Sequence, residues 1–213
     1  MYNKKTIKEK VENLPFKEFH TTRYQVAFKT NTNKTYQYTK EKNLSFFNIT
    51  LAILLEGINS TPEMKRRIIN NKIIEYEKID AITPILKKDK TISEIRVKPI
   101  TEYKNLKKWN NYVNNLKENL EENKYTLEPL KRDTEPIANF SCIPWINFDS
   151  LTNMIATPHQ IQPLITWGKY TKGKIPISLT VNHMFVFGYH LKLFNDTINK
   201  YFENPSLLEK IKK

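Results

Sequence analysis

Apolar residues along this chain follow two different periods. From Phe46 to Ile58 they run almost without interruption, which predicts a buried helix that ends near Gly57, with Pro62 just beyond it. Leu106, Trp109, Val113, Leu116 and Leu120 recur at spacings of three and four and predict an amphipathic helix. Leu191, Phe194, Ile198 and Tyr201 predict a third that starts at Gly188 and stops at Asn204-Pro205. Shorter β-prone runs read as strands over Lys34 to Tyr38, Lys72 to Ile79, Ala81 to Leu86, Ile92 to Val97, Ile137 to Ile143, Pro163 to Trp167 and Pro176 to His183. Helices and strands mixed in this order predict an α/β two-layer sandwich, a mixed β-sheet packed by helices. No Gly/Ser/Pro-rich linker divides the 213 residues, so one domain over 1–213 is expected.

The last predicted strand carries the chemistry. Ile177, Leu179, Val181 and His183 share one parity, so a pleated strand sets the imidazole on the face of three apolar side chains, just before a glycine-punctuated turn into a helix. An imidazole titrates near neutrality, with an unperturbed pKa of roughly 6.5, and at the rim of a core it can act as a general base. An isolated buried His bonded to a carbonyl is the plainer alternative.

Charge and cysteine content narrow the partners. A net charge of +13 raises nucleic-acid binding. However, of the 35 basic residues only Arg23, Arg66, Arg67, Arg96 and Arg132 are arginines, and the lysines are scattered beside Glu and Asn. Base readout and bidentate phosphate contacts favour arginine, so no nucleic-acid partner is expected. The apolar run from Phe46 to Leu55 is interrupted by Asn48 and Thr50 and falls short of the roughly 20 residues that span a bilayer. No membrane partner is expected, and a cytoplasmic location is. The single Cys142 has no intrachain disulfide partner and reads as a small packed residue.

Four ordered stretches resemble the chloramphenicol acetyltransferase family. Asn182-His183-Met184-Phe185-Val186-Phe187-Gly188-Tyr189-His190 is similar to its His-His-x-x-x-Asp-Gly-x-His signature, with Asn182 in place of the first His and Phe187 in place of the Asp. Asn59-Ser60-Thr61-Pro62-Glu63-Met64-Lys65-Arg66 resembles its Asn-x-x-Pro-Glu-Phe-Arg stretch. Ser141-Cys142-Ile143-Pro144-Trp145-Ile146-Asn147-Phe148 resembles Ser-x-x-Pro-Trp-x-x-Phe, and Thr166-Trp167-Gly168-Lys169-Tyr170 resembles Thr-x-Gly-Lys-Tyr. With weaker similarity from about Phe19, the resemblance covers nearly the whole chain.

The resemblance implies an acetyl-CoA-dependent O-acetyltransferase, with chloramphenicol the default acceptor and no metal. It assigns the general base to His183 and the oxyanion donor to the Ser141 hydroxyl. Thr166 matches a threonine that holds a water near the transition state, and Lys169 a lysine near the coenzyme A tunnel. Phe28, Thr83 and Ile92 fall where the family lines its acceptor pocket, Ile92 standing where an aromatic ring is common. The family is a homotrimer with active sites between subunits, so His183 is expected to face a neighbour's pocket. A divergent member with another acceptor, or a binding module with weak or no catalysis, is the alternative.

Two departures stand out. In the family the aspartate at position 187 pairs with an arginine near the N-terminus and braces the turn that carries the base, whereas here the matching positions are Phe187 and Thr21. Removing one buried partner costs about 3–5 kcal/mol, while losing both is tolerable, so the brace is expected to be rebuilt. Arg23 is free to turn inward, with no carboxylate at position 187 to meet. Between Phe28 and Phe46 the chain reads as too short for a helix that the family carries there. A loop around Lys40-Glu41-Lys42 or the N-terminal segment is expected in its place.

Overall fold

A computed structural model describes residues 2–126 and 128–211. Its main sheet has six strands. β2 (Arg23–Asn31) forms one edge, followed by β9 (Lys174–Asn182), β8 (Leu164–Gly168), β7 (Ile137–Ile143), β5 (Asp80–Leu86) and β6 (Ile92–Val97). β7 runs parallel to both its neighbours and the other pairs are antiparallel, so the sheet is mixed as expected. A smaller sheet joins β1 (Lys4–Thr6), β4 (Lys72–Tyr76) and β3 (Arg66–Ile69).

One face of the large sheet packs beneath helices. α2 (Phe46–Asn59) starts at Ser45, whose hydroxyl accepts from the Asn48 backbone N–H at 3.3 Å, and buries Leu51, Ile53, Leu54, Leu55 and Ile58. Each such aliphatic side chain contributes about 1.5–3 kcal/mol on leaving water. Asn48, fully buried, is satisfied by donating to Asn110 and Asn114 of α3 (Leu106–Glu118). α2 ends at Asn59, near Gly57 as the sequence predicts, but Gly57 itself is not the cap. It sits inside the helix because a Cβ there would lie 2.5 Å from Ile198 Cγ2 and 2.8 Å from the Phe194 ring of α4 (Gly188–Glu203). Close helix crossing, rather than termination, requires the glycine.

The segment Lys34 to Tyr38 is also corrected. It lies within α1 (Asn33–Glu41), a helix in the stretch that reads as too short for one. Its alternating Thr and Tyr residues favour strands locally, but burial follows the helical spacing of Thr35 and Thr39, and the Thr35 hydroxyl donates to Phe202 O at 2.7 Å. Packing on α4 overrides the local preference. β2 is a further strand, beyond those read from the sequence, and it pairs with β9 along its whole length.

Register fixes which side chains share a face. Val26, Leu179, Ile165 and Phe140 lie in one row across β2, β9, β8 and β7, on the helix-packed side. Ala27, Ser178, Thr166 and Ser141 form the next row and point to the other side. Segment 149–163 covers that second face, with Asn153 bonded to Ser178 and Thr180.

Candidate active site

His183 sits one residue past β9, and its backbone N–H donates to Thr22 O at 2.7 Å, which extends the β2–β9 ladder. Its side chain therefore keeps the parity of Leu179 and Val181 and emerges at the rim of the core. Three rings surround the imidazole: Phe16 at 4.5 Å between centroids, Tyr24 at 4.6 Å and Phe187 at 5.1 Å. Burial raises the Tyr24 phenol pKa, and the hydroxyl donates to Val186 O at 3.0 Å, which ties β2 to the turn. Nδ1 of His183 is enclosed without a hydrogen-bond partner among the described residues. Nε2 makes no hydrogen bond among the described residues and is not enclosed as Nδ1 is.

Polar contacts beside the imidazole hold the end of β9. Asn182, 1% exposed, donates to Thr22 Oγ1 at 2.8 Å, His159 O at 3.0 Å and Gln160 O at 3.2 Å, and accepts from the Met184 N–H at 2.9 Å. Arg23 turns inward and donates through Nη1 to Gln160 O at 2.7 Å and Gln162 O at 2.6 Å. Burial lowers the Arg23 guanidinium pKa to about 10. Thr21 donates its hydroxyl to Pro158 O at 2.8 Å. Residues 21–23 and 182 thus bind the 158–162 segment mainly through its carbonyls.

At the other end of the sheet stand the remaining candidates. Ser141 is half-buried opposite Thr166. Thr166 is only 3% exposed and donates its hydroxyl to Asn153 Oδ1 at 2.6 Å. The Asn153 backbone N–H also donates to Gln25 Oε1 at 3.0 Å, which makes Asn153 the centre of a network that sequence reasoning missed. Lys169 is exposed, and its backbone N–H donates to Ile146 O at 2.7 Å. Gly168 permits that approach, since a Cβ on it would lie 2.5 Å from Ile146 O. Tyr170 stacks on Tyr36 of α1 at 4.4 Å. Phe28 lines a groove of about 530 Å³ between β2 and α4, with Leu191 and Phe194. Ile92 is 66% exposed at the β5–β6 turn. Thr83 is fully buried on the helix-packed side and lines no open surface of the chain.

The predicted residues are therefore brought together in two groups. Ser141 pairs with Thr166, which pairs with Ser178, five residues before His183 along β9. At ~3.3 Å per residue and ~4.8 Å between strands, Ser141 and His183 are ~19 Å apart, and their side chains leave opposite faces. Exposed apolar side chains lie towards each end of the strands: Leu86, Ile92, Trp145 and Ile146 at the serine end, and Phe16, Phe19, Phe187 and Tyr189 at the histidine end. Burial pushes the Cys142 thiol, beside Ser141, up to about 12.

Residues 3–199 match the sequence profile of the family described as chloramphenicol acetyltransferase. The chain belongs to the chloramphenicol acetyltransferase family. Among curated members it is 26% identical over 182 residues to a chloramphenicol acetyltransferase of Bacillus pumilus, covering 78% of this chain and 77% of the relative. It is 24% identical over 204 residues to chloramphenicol acetyltransferase 3 of Escherichia coli, covering 91% and 93%. A solved chloramphenicol acetyltransferase superposes with a TM-score of 0.78 at 20% identity, covering 93% of this chain and all of that one. The family consists of acyltransferases, and the mixed sheet under helices is its fold. Among the described residues no helix is long and apolar enough to cross a membrane, and no cluster of three His, Cys, Asp or Glu side chains is arranged for a metal ion.

This member departs from the family signature around His183. Phe187 is the N-cap of α4, and its backbone N–H donates to Nδ1 of His190 at 2.9 Å. His190 Nε2 lies 3.8 Å from Glu63, so the signature's last His meets the Pro62-Glu63 stretch. Arg23, Tyr24 and Phe16 belong to the site as well. Their roles were hidden because only the paired β2–β9 ladder and the 14–22 turn bring them to position 183.

Proposed function

We propose that the chain is an acetyl-CoA-dependent O-acetyltransferase acting on a hydroxyl of a small molecule, with chloramphenicol the default acceptor and a site shared between copies of a homotrimer. The observation that carries this reading is the separation of Ser141 from His183 by ~19 Å, on opposite faces of the sheet. One protomer cannot apply both to one reacting carbonyl. Exposed apolar side chains at both half-sites suit a head-to-tail contact, and such contacts can close into rings.

In the reaction, Nε2 of His183 takes the proton of the acceptor hydroxyl while its oxygen attacks the acetyl carbon. The neighbouring copy's Ser141 hydroxyl donates to the oxyanion so formed. Collapse breaks the C–S bond, and the imidazolium returns its proton to the departing thiolate of coenzyme A. Lys169, with Lys172 and Lys174 beyond it, is exposed and suits the cofactor's phosphates. A cytoplasmic role in antibiotic resistance belongs to this reading.

Thr166 supports the alternative acceptor reading, because its hydroxyl is already held by Asn153 and is sheltered from a reactant. A thiol-release assay with acetyl-CoA separates the two. Release that depends on chloramphenicol, reduced roughly 10²-fold in kcat by Ser141→Ala with little change in acceptor KM, supports the first. Acetyl-CoA binding without turnover supports a divergent binding module.

A further inference from the structure

The backbone of Phe16 lies at a φ of 61°, in the left-handed region that bulky L-residues avoid and that Gly or Asn adopts readily. The turn itself would be served by either of those residues, yet the chain places a phenyl ring there. Leu14, 4% exposed, anchors the segment in the core, and the Phe19 N–H donates to Phe16 O at 2.9 Å to close the turn. The Phe16 ring is thereby set 4.5 Å from the His183 imidazole with a tilt of 51°.

A base needs its ring held, and hydrogen bonding does not do so here. Nδ1 of His183 is enclosed and unpartnered among the described residues, and Nε2 makes no hydrogen bond there. What contacts the imidazole is aromatic: Phe16 on one side, Tyr24 at 4.6 Å and Phe187 at 5.1 Å. Tyr24 is fixed by its bond to Val186 O, and Phe187 by its place at the head of α4. Phe16 comes from outside both strands and the helix, and it completes the enclosure.

We propose that Phe16 is a positioning residue for His183, clamping the imidazole with Tyr24 and Phe187 so that Nε2 faces the reactant. The Phe16 and Tyr24 rings pack tilted on the imidazole at 51° and 34°, and Phe187 stands T-shaped to it at 66°, so the three contacts restrain the ring from different directions. The proposal rests on the reading of His183 as the base.

Two variants test it. Phe16→Gly suits the backbone and removes the ring, whereas Phe16→Tyr keeps the ring and has room for its hydroxyl, since position 16 is 37% exposed. Steady-state kinetics, assembly by light scattering, and the rate of diethylpyrocarbonate modification of His183, mapped by peptide mass spectrometry, are measured for each. Phe16→Gly lowers kcat roughly 10–100-fold with acceptor KM nearly unchanged, as expected when a reacting group is misplaced, and it accelerates modification. Phe16→Tyr leaves both close to the natural values. If Phe16→Gly disrupts assembly, Phe16→Leu carries the same expectations with apolar bulk retained. Unchanged turnover and modification on loss of the ring would overturn the proposal, as would a Phe16→Tyr variant as impaired as Phe16→Gly. If the natural protein transfers no acetyl group, the reading of the base fails separately, and the modification rates alone decide whether Phe16 holds the imidazole.

Discussion

Arg23 and Asn182 face each other across β2 and β9, and both donate to the carbonyl of Gln160, at 2.7 and 3.2 Å. The pair fastens the strand end that carries His183 to the 158–162 segment without an ion pair. Asp133, whose Oδ1 accepts from the Ile161 and Gln162 N–H groups, is the acidic group whose field reaches Arg23. A neutral amide and a guanidinium, both bonded to carbonyls, thus hold this strand end, while Phe187 and Thr21 stand at the positions where the resemblance implies a carboxylate and an arginine.

Asn182→Ala should lower stability by roughly 2–3 kcal/mol, because it removes several buried hydrogen bonds worth about 1 kcal/mol each and strands the carbonyls they satisfied. Turnover should fall with it, since the next residue is His183. Asn182→Asp should not repair the site, for a carboxylate would oppose the His159 and Gln160 carbonyls that the amide now serves. Urea titration of the natural protein and both variants checks this, and a loss below about 0.5 kcal/mol for Asn182→Ala would remove Asn182 from the brace.

Phe187→Asp should separate stability from activity. Phe187 occupies the N-cap of α4 with extended backbone and no side-chain cap, and its ring is 37% exposed. An Asp there can accept from the first-turn N–H groups, which is worth about 0.5–2 kcal/mol. The thermal midpoint should therefore hold or rise while kcat falls several-fold, as the imidazole loses a neighbour and Arg23 stays committed to carbonyls. Activity well above that of the natural protein would mark it as a catalytically eroded member instead.

The β9–α4 passage was legible in the sequence because both periods meet there within one stretch, so His183 could be placed at a strand end from parity alone. Ser141 and Lys169 were legible only through the family motif, because nothing in a lone serine or lysine distinguishes a donor from a solvated surface residue. α1 was misread since Thr35 and Tyr36 have strand propensity and the helix exists by packing on α4. The end of α2 near Gly57 was legible, but the packing role of the glycine was not, because the demand for close approach comes from Phe194 and Ile198, far along the chain. Asn153 gave no local signal, being a polar residue in a covering segment whose partners lie on β8 and β9.

Glu56 should shape the acid side of the stability profile. Burial raises its carboxyl above the ordinary 4.5, and the Ser60 hydroxyl with Lys65 and Lys78 offsets this only in part. A group with a raised folded pKa gives stability that is present in full below the unfolded value and is lost as pH climbs through the folded one. Glu56→Gln keeps an acceptor for Ser60 and should be more stable than the natural protein at pH 7, with the difference vanishing below pH 4.5. Thermal melts across this range check the sign. A variant less stable at pH 7 would show that the charged carboxylate is favourable where it lies.

The central claim, a site shared between copies, is tested most directly by mixing two inactive variants. His183→Ala retains Ser141, and Ser141→Ala retains His183, so a head-to-tail contact between unlike copies rebuilds one complete site. Co-expressed in equal amounts and assembled at random, the two should recover about one quarter of natural turnover, since one contact in four presents the intact pair. Recovered acetyl transfer near that level is the predicted result. A mixture no more active than the two variants measured apart would contradict it and return the whole reaction to a single chain.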